Sequence, residues 1–372
     1  MRTVGVEEEL LLVDADTGEI RSSADAVLHT TTDEGLTTEL QQEQVETGSR
    51  PTADLEDLLA DVVGLRRRAA AAAAEIGARI AALGTSPLPV SPQVTPHARY
   101  LEMLERFALT AAEQLTCGCH IHVSVDDDDE AVAVLDRIRI WLPVLLALSA
   151  NSPYWQGQDT RYASFRSQAQ SRWPSAGPSP LFGSAENYHD VVRRMIESGT
   201  VLDAGMIYFD ARLSANYPTV ELRAADVCRR PEDTILVAAL ARGLVETASR
   251  EWKSGREMQT MPSALLRLAS WRAGRSGLEG DLVHPHSGRP VPAQVVLAAL
   301  LGHVEAALSD LGDLNLVEQL MPGLLERGNG AAAQRASFTR TGDLRAVVLD
   351  AVTDGSADHT RPGSVLGTDQ ER

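Results

Sequence analysis

The apolar residues on either side of the three glutamates make 3–13 a β-prone run, and the turn formers at 14–18 separate it from a second β-prone run at 19–22, so the chain is expected to open with a hairpin. A further extended segment is expected over 36–47. The spacing then becomes helical: Leu55, Leu58, Leu59, Val62, Ile76, Ile80 and Leu83 form one stripe. This predicts a single long helix capped by Thr52, with Asp54, Glu56 and Asp57 in its first turn and the alanines of 69–74 as strong helix formers. A proline-spaced loop (87–96), a helix to about 113, a strand (119–125) and a helix (130–150) follow. The stretch 154–183 breaks the pattern, mixing Trp155, Tyr162, Phe165, Trp173 and Phe182 with Arg161, Arg166 and Arg172. Such a segment is expected to be either a binding lid or a surface loop packed by its own aromatics. Beyond it come a helix (185–198), strands (205–213 and 218–225), a helix opened by Pro231 and running to about 252, and helical periodicity through 263–273, 292–308 and 314–327. Strands interspersed irregularly with helices predict an α+β fold with a largely antiparallel sheet. One domain is expected over 1–353, followed by a polar, glycine-rich tail at 354–372.

Composition narrows the function classes. Of 372 residues, 44% are hydrophobic, enough for a sizeable core. The formal net charge of -18 disfavours nucleic acid, whose phosphates need a basic face. The most apolar stretch, 291–308, is interrupted by Gln294, His303 and Glu305, so no membrane span is expected. The chain opens directly into a strand-like run without a leader pattern, and a cytoplasmic protein is expected. Cys117, Cys119 and Cys228 make neither a disulfide framework nor a four-ligand zinc site and read as buried, inert thiols. The acidic run 126–130 lacks the glycine and spacing of a calcium loop and reads as a helix start.

Three alternating polar pairs carry the candidate chemistry: Glu7/Glu9, His120/His122 and Glu221/Arg223. Each lies in a strand-like run, and side chains two apart on a strand share a face. Carboxylates and imidazoles gathered on one face suit a divalent cation, and an adjacent arginine suits a phosphoryl group. Glu39, Glu43 and Glu46 add acidic candidates. Glu39 and Glu46 are seven apart, an odd number, and cannot share a face on one regular strand without a bend; Glu39 with Glu43 satisfies plain alternation, and spacing leaves the choice open. No Walker loop and no dinucleotide glycine fingerprint occurs.

Five ordered runs are similar to the type 2 glutamate-cysteine ligase family, the bacterial carboxylate-amine ligases of the glutamine synthetase-like fold. They are Gly-Val-Glu-Glu-Glu-Leu (5–10), Thr-Glu-Leu-Gln-Gln-Glu-Gln-Val-Glu-Thr-Gly (38–48), Thr-Cys-Gly-Cys-His-Ile-His-Val (116–123), the run from Ala-Asn-Ser-Pro to Ala-Ser-Phe-Arg (150–166) and Thr-Val-Glu-Leu-Arg (219–223). The resemblance implies a curved antiparallel sheet with helices on its convex side, and ATP-dependent amide-bond formation assisted by two or three Mg2+ ions. By the same analogy Glu7, His120 and Glu221 hold the metal at the ATP phosphates, while Glu9, Glu39 and Glu46 hold the metal at the amino-acid substrate, which implies a bent 36–47 segment. His122 supports the ligands from beside them. Arg223 and Glu221 are the implied catalytic pair, and Arg166, with Arg161 as a further candidate, the implied ligand for a substrate carboxylate. Trp271 and Arg272 resemble a family Trp-Arg motif without an assigned role.

The reaction so implied passes the γ-phosphoryl group of ATP to the side-chain carboxylate of glutamate, after which the amine of cysteine or a related compound attacks. Two other readings compete. A metal-dependent amidohydrolase would use His120, His122 and a glutamate to bind zinc, and a binding module would hold nucleotide without turnover. The small-molecule partners expected are ATP, glutamate and an amine; the apolar C-terminal helices offer a homodimer face.

Overall fold

A computed structural model describes residues 1–33 and 35–353; the expected tail at 354–372 lies outside the described residues. The strands in chain order are β1 (Val4–Asp14), β2 (Leu36–Thr38), β3 (Gln44–Gly48), β4 (Ala78–Ala81), β5 (Gly118–Ser124), β6 (Tyr154–Trp155), β7 (Gln158–Asp159), β8 (Ala211–Leu213), β9 (Thr219–Asp226), β10 (Asp281–Val283), β11 (Pro290–Pro292) and β12 (Val352–Thr353). Eight of them form one sheet along the path β12-β4-β1-β5-β9-β8, with β3 attached to β1 and β2 to β3; β6-β7 and β10-β11 are separate hairpins. All the sheet's pairings are antiparallel, as the irregular alternation of elements predicts.

Helices Leu55–Ala74 and Pro231–Lys253 cover one face of this sheet, and the other face is the floor of an open cavity. Glu8 shows how the faces divide. Its neighbours Glu7 and Glu9 face the cavity, so alternation turns Glu8 into the helical layer. There Arg66 grips it with bonds of 2.8 and 2.7 Å, and Thr234 donates a third at 2.7 Å. Arg66 also donates to the carbonyls of Cys228 and Arg229 at 2.7 and 3.0 Å. A carboxylate and a guanidinium buried this completely cost much to desolvate and persist only because nearly every lone pair and proton is used.

Several expected boundaries move. The long helix ends at Ala74, because Gly77 adopts the left-handed conformation (φ 69°) and the chain turns back as β4; Ile80 and Leu83 therefore belong to the strand region, whose apolar residues coincided with the helical stripe. Asp54, not Thr52, caps that helix, accepting from Glu56 and Asp57 N–H at 2.8 and 3.2 Å. The 130–150 helix is two helices, Asp128–Ile138 and Leu142–Ser149, with Pro143 in the first turn of the second. Asp127 caps the first, as the reading of the acidic run requires. Of the 205–213 strand only Ala211–Leu213 joins the sheet, Phe209 makes a single bridge to Gly177, and Ala204–Met206 is a 3-10 turn. The β10-β11 hairpin and helices Gly330–Thr341 and Leu344–Asp350 lie where no element was expected.

The 154–183 stretch is in part packed by its own aromatics, with Trp155 and Tyr162 both against Phe165. Tyr154, Trp173 and Phe182 are buried in the body of the protein. Helix Ala293–Leu311 is, by length and composition alone, apolar enough to cross a membrane, contrary to the expectation drawn from its three polar interruptions. Its Val296, Leu300 and Val304 are fully buried, and the helix packs on Pro231–Lys253. The three cysteines are free and buried, and desolvation pushes each thiol upward, as befits inert core residues.

Candidate active site

The register of the central strands fixes which side chains meet. Glu7 pairs with His120 across β1-β5, Glu9 with Glu46 across β1-β3, His122 with Glu221 across β5-β9 and Glu221 with Arg212 across β8-β9. Directly paired residues project to the same face. Four strands therefore line one cavity of about 580 Å³ with Glu7, Glu9, Glu46, His120, His122, Glu221 and Arg223, and Glu39 joins them from just beyond β2.

The parity of Glu39 and Glu46 is resolved by a chain reversal and not by a bend within one strand. β2 and β3 form a tight hairpin in which Thr37 pairs with Glu46. Across such a pairing, residues an odd number apart face the same way, so Glu39, Gln44 and Glu46 all reach the cavity. Glu43 sits in the turn and points elsewhere, accepting the Gln93 N–H at 3.0 and 3.1 Å and pairing with Ser22.

Ligand-type atoms converge into three groups, each with its atoms within 4.8 Å of one another: Glu9–Glu39–Glu46, Glu7–Glu46–His120 and Glu7–His122–Glu221. The first is the trio that the resemblance implies. In the others the imidazoles are exchanged: His122, not His120, completes the group of Glu7 and Glu221, so His122 is as well placed to ligate as to support. His122 Nε2 lies 3.4 Å from Glu7 Oε1, His120 Nδ1 lies 3.4 Å from Glu7 Oε2, and His120 Nε2 is 3.9 Å from Glu9 Oε1. Thr219 Oγ1, 3.0 Å from His122 Nδ1, sets that ring's orientation.

The electrostatics of this face are unbalanced. Burial, followed by repulsion from Glu39, Glu7 and Glu9, holds the Glu46 carboxyl well above its ordinary range, and burial also raises Glu9. Burial acts the same way on Glu7, but the nearby His120 and His122 prevail and hold it low. Burial and the nearby Arg223 lower His120. The Nε2 atoms of both histidines are buried without a hydrogen-bond partner. Crowded, desolvated carboxylates beside orphaned imidazole nitrogens lack positive charge at their centre. Hard oxygen donors with an imidazole added fit Mg2+ or a similar divalent cation.

One wall is cationic. Arg223 and Arg212 both grip Glu221, Arg212 by bonds of 2.7 and 3.2 Å. Although burial opposes it, Arg223, Arg212 and His120 bring the Glu221 carboxyl down to about 2. Between Cys119 and Ile121 the β5-β9 register slips by one residue, so Arg223 and Ala224 stand opposite His120; this bulge aims Arg223 into the cavity, where it also lies 5.9 Å from the Tyr208 ring. Arg212 additionally bonds the carbonyls of Ala204, Gly205 and Ile207, tying the 3-10 turn to the site. Arg212 was missed in the sequence. The signal was present: it sits in an expected strand, two residues after Asp210.

Arg166 lies against Gly118 at the start of β5, on the face that carries His120 and His122. Its guanidinium crosses over Gly118 so closely that a Cβ there would lie 2.2 Å from Nη2, which is why glycine stands between the two cysteines. The 150–166 run works as a bracket for it. Asp226 accepts from Asn151 N–H, Ser152 Oγ and Ser164 Oγ at 2.8, 2.7 and 2.8 Å, Ser152 Oγ accepts the Arg166 N–H at 2.9 Å, and Arg166 Nη1 lies 3.9 Å from Asp226. Arg161 does not join the cavity. It is exposed, with its carbonyl held by Arg275, and lines a shallow recess with Arg275 and Arg335. Trp271 is also outside the cup, donating Nε1–H to the Tyr162 hydroxyl at 3.2 Å.

The model of glutamate-cysteine ligase family 2 (GCS2) matches residues 3–350. The chain belongs to this family. A Streptomyces avermitilis member, named "Putative glutamate--cysteine ligase 2-1", is 53% identical over 357 residues, covering 95% of this chain and 99% of that protein. A Streptomyces coelicolor member, "Putative glutamate--cysteine ligase 2", is 52% identical, with 95% and 98% covered. In fold, the glutamate-cysteine ligase of Francisella tularensis, solved in complex with AMP, superposes with a TM-score of 0.69 at 14% identity, covering 94% of this chain and 87% of that one. A bifunctional glutathione synthetase of Pasteurella multocida gives 0.67 at 15% identity, covering 94% of this chain and 51% of that one. The α+β architecture is thus that of glutamate-cysteine ligases, and membership of family 2 makes the chain a carboxylate-amine ligase.

Proposed function

We propose that the protein is an ATP-dependent glutamate-cysteine ligase, which activates the side-chain carboxylate of glutamate as an acyl phosphate and transfers it to the amine of cysteine or a close relative. The observation that carries this reading is the convergence, on one sheet face of a family 2 ligase, of three clusters of metal-ligand-type side chains with an arginine wall. The Francisella structure, with an adenine nucleotide in the same fold, supports the choice of ATP.

A bound divalent cation would supply charge neutralisation between a carboxylate and a triphosphate. Glu7, His122 and Glu221, with His120 beside them, would hold it at the phosphates; Glu9, Glu39 and Glu46 would hold it at the acid substrate. Arg223, anchored by Glu221 and backed by Tyr208, presents its guanidinium to the phosphoryl group in flight. Arg212 fixes Glu221 from its other side, so the acid cannot swing away when Arg223 engages substrate. The sheet holds all these groups on paired strands, and this rigidity converts binding into alignment. No covalent nucleophile of the protein is required.

We take residues 1–353 as one catalytic domain working in the cytoplasm, where ATP is supplied. No observation favours the amidohydrolase: among the described residues, no three-ligand group contains both His120 and His122. The test is ADP release by purified protein with Mg2+, ATP and glutamate across a panel of amines. Release that requires both glutamate and an amine is expected; none above background with any amine would sink the proposal.

A further inference from the structure

A side chamber of about 250 Å³ adjoins the cup, and the two share Gln170, Tyr208 and Arg223 in their walls. Three charged groups face this chamber besides Arg223: Arg166, Arg267 from helix Ser263–Ser276, and Asp210. Arg166 is 4% exposed, yet its Nε has no hydrogen-bond partner and its Nη2 makes only a long 3.4 Å contact to the Arg223 carbonyl. It is a buried cation with bonding capacity left over.

Asp210 differs from every other acid of the site. Its carbonyl accepts the Arg223 N–H at 2.9 Å, which puts it beside the arginine wall at the start of β8. It belongs to none of the cation-binding groups, and it is the only carboxylate among the described residues lining the chamber. The titratable and charged groups around it are Arg267, Arg166, Arg223 and Tyr208, with Ser270 bonded to its side chain. Burial pushes its carboxyl up to about 6 against the pull of Arg267 and Arg166, a value suited to accepting a proton near neutrality.

An amine reaches the enzyme as an ammonium ion and has no lone pair until it loses a proton. We propose that the side chamber receives this ammonium and that Asp210 binds it and takes its proton, making Asp210 the general base of the second half-reaction. This rests on the ligase reading above. The step balances: one ammonium proton passes to Asp210 and on to solvent, the freed nitrogen forms the C–N bond, the acyl C–O bond breaks with its electron pair leaving on phosphate, and the second nitrogen proton goes to that phosphate. Arg166 and Arg267 complete the chamber with positive charge for a carboxylate on the amine, so the acceptor class is an amino acid and not a simple alkylamine.

Hydroxylamine tests this, because it is largely neutral near pH 7 and attacks an acyl phosphate without a base. Asp210→Asn is expected to lower kcat/KM for the amino-acid acceptor by about 10²-fold or more, to abolish the acid limb of its pH profile, and to leave glutamyl hydroxamate formation from ATP, glutamate and hydroxylamine within a few fold of the native rate. Equal loss with both nucleophiles, or an unchanged amino-acid reaction, overturns the assignment. Failure of the native protein to make hydroxamate at all overturns the ligase reading itself and the base with it, so the two failures are told apart. Asp210→Glu is expected to recover part of the amino-acid reaction.

Discussion

Glu7, Glu8 and Glu9 are three identical side chains in a row, and they live in two opposite worlds. Glu8 faces the helical layer, where Arg66 and Thr234 use its lone pairs in a closed network. Glu7 and Glu9 face the cup among carboxylates and orphaned imidazole nitrogens, a network left open at its centre. A closed buried network stabilises a unique packing. An open one would be completed, on the ligase reading, by a cation and a phosphorylated substrate.

That contrast can be broken by substitution. Glu8→Ala is expected to have the largest effect, destabilising the fold by about 3–5 kcal/mol because Arg66 is left buried and unpaired; denaturant unfolding would show it. A loss under about 1 kcal/mol would mean that the pair is not the keystone drawn here. On the open face, Arg223→Gln is expected to cut turnover by about 10²–10³-fold while the melting temperature moves little. Turnover within a few fold of native would remove Arg223 from the phosphoryl step.

Titration sharpens the comparison. Glu9 and Glu46 have folded-state values above their unfolded ones, so the stability they contribute as protonated groups is full below the unfolded pKa and is lost as pH rises through the folded values. Glu7 and Glu221 run the other way: their contribution is present above the unfolded pKa and is lost as pH falls through the depressed values. On the ligase reading, Mg2+ would compete with the protons on Glu9 and Glu46. The rise in melting temperature caused by Mg2+ should therefore grow with pH across the raised titrations, and Glu46→Gln should flatten that growth while raising the metal-free melting temperature. An Mg2+ effect independent of pH would contradict the crowding argument.

The smallest effect separates two acids that spacing could not. Glu39→Gln should reduce the Mg2+-induced thermal shift with little change in metal-free stability. Glu43→Gln should leave that shift intact and cost about 1 kcal/mol through its weakened bond to the Gln93 N–H. Calorimetry on both variants, with and without Mg2+, decides it.

Much of the site was legible because strand alternation is local: Glu7/Glu9, His120/His122 and Glu221/Arg223 each had to share a face wherever their strands lay. Five spaced runs then pointed to the family, which the whole-chain match to family 2 shows. Other features were hidden for equally physical reasons. Ile80 and Leu83 continue a helical stripe in the sequence, but Gly77 and the pairing of β4 with β1 turn Ile80 into strand and leave Leu83 just past its end. Glu39 joined Glu46 through a hairpin whose turn carries no glycine or proline to announce it. Arg161 and Arg166 looked alike in one polar stretch; the serine and aspartate bracket draws Arg166 inward and leaves Arg161 in solvent.

By itself the sequence determined which residues form strands around the chemistry and which pairs travel together, since both follow from nearest-neighbour geometry. Only the tertiary structure decided which pairs meet, that His122 joins Glu7 and Glu221, that Arg212 stands behind Glu221, and that Asp210 faces its own chamber. Those outcomes depend on register, on one bulge in β9 and on what desolvates each charge, and these are properties of strands brought together from distant parts of the chain.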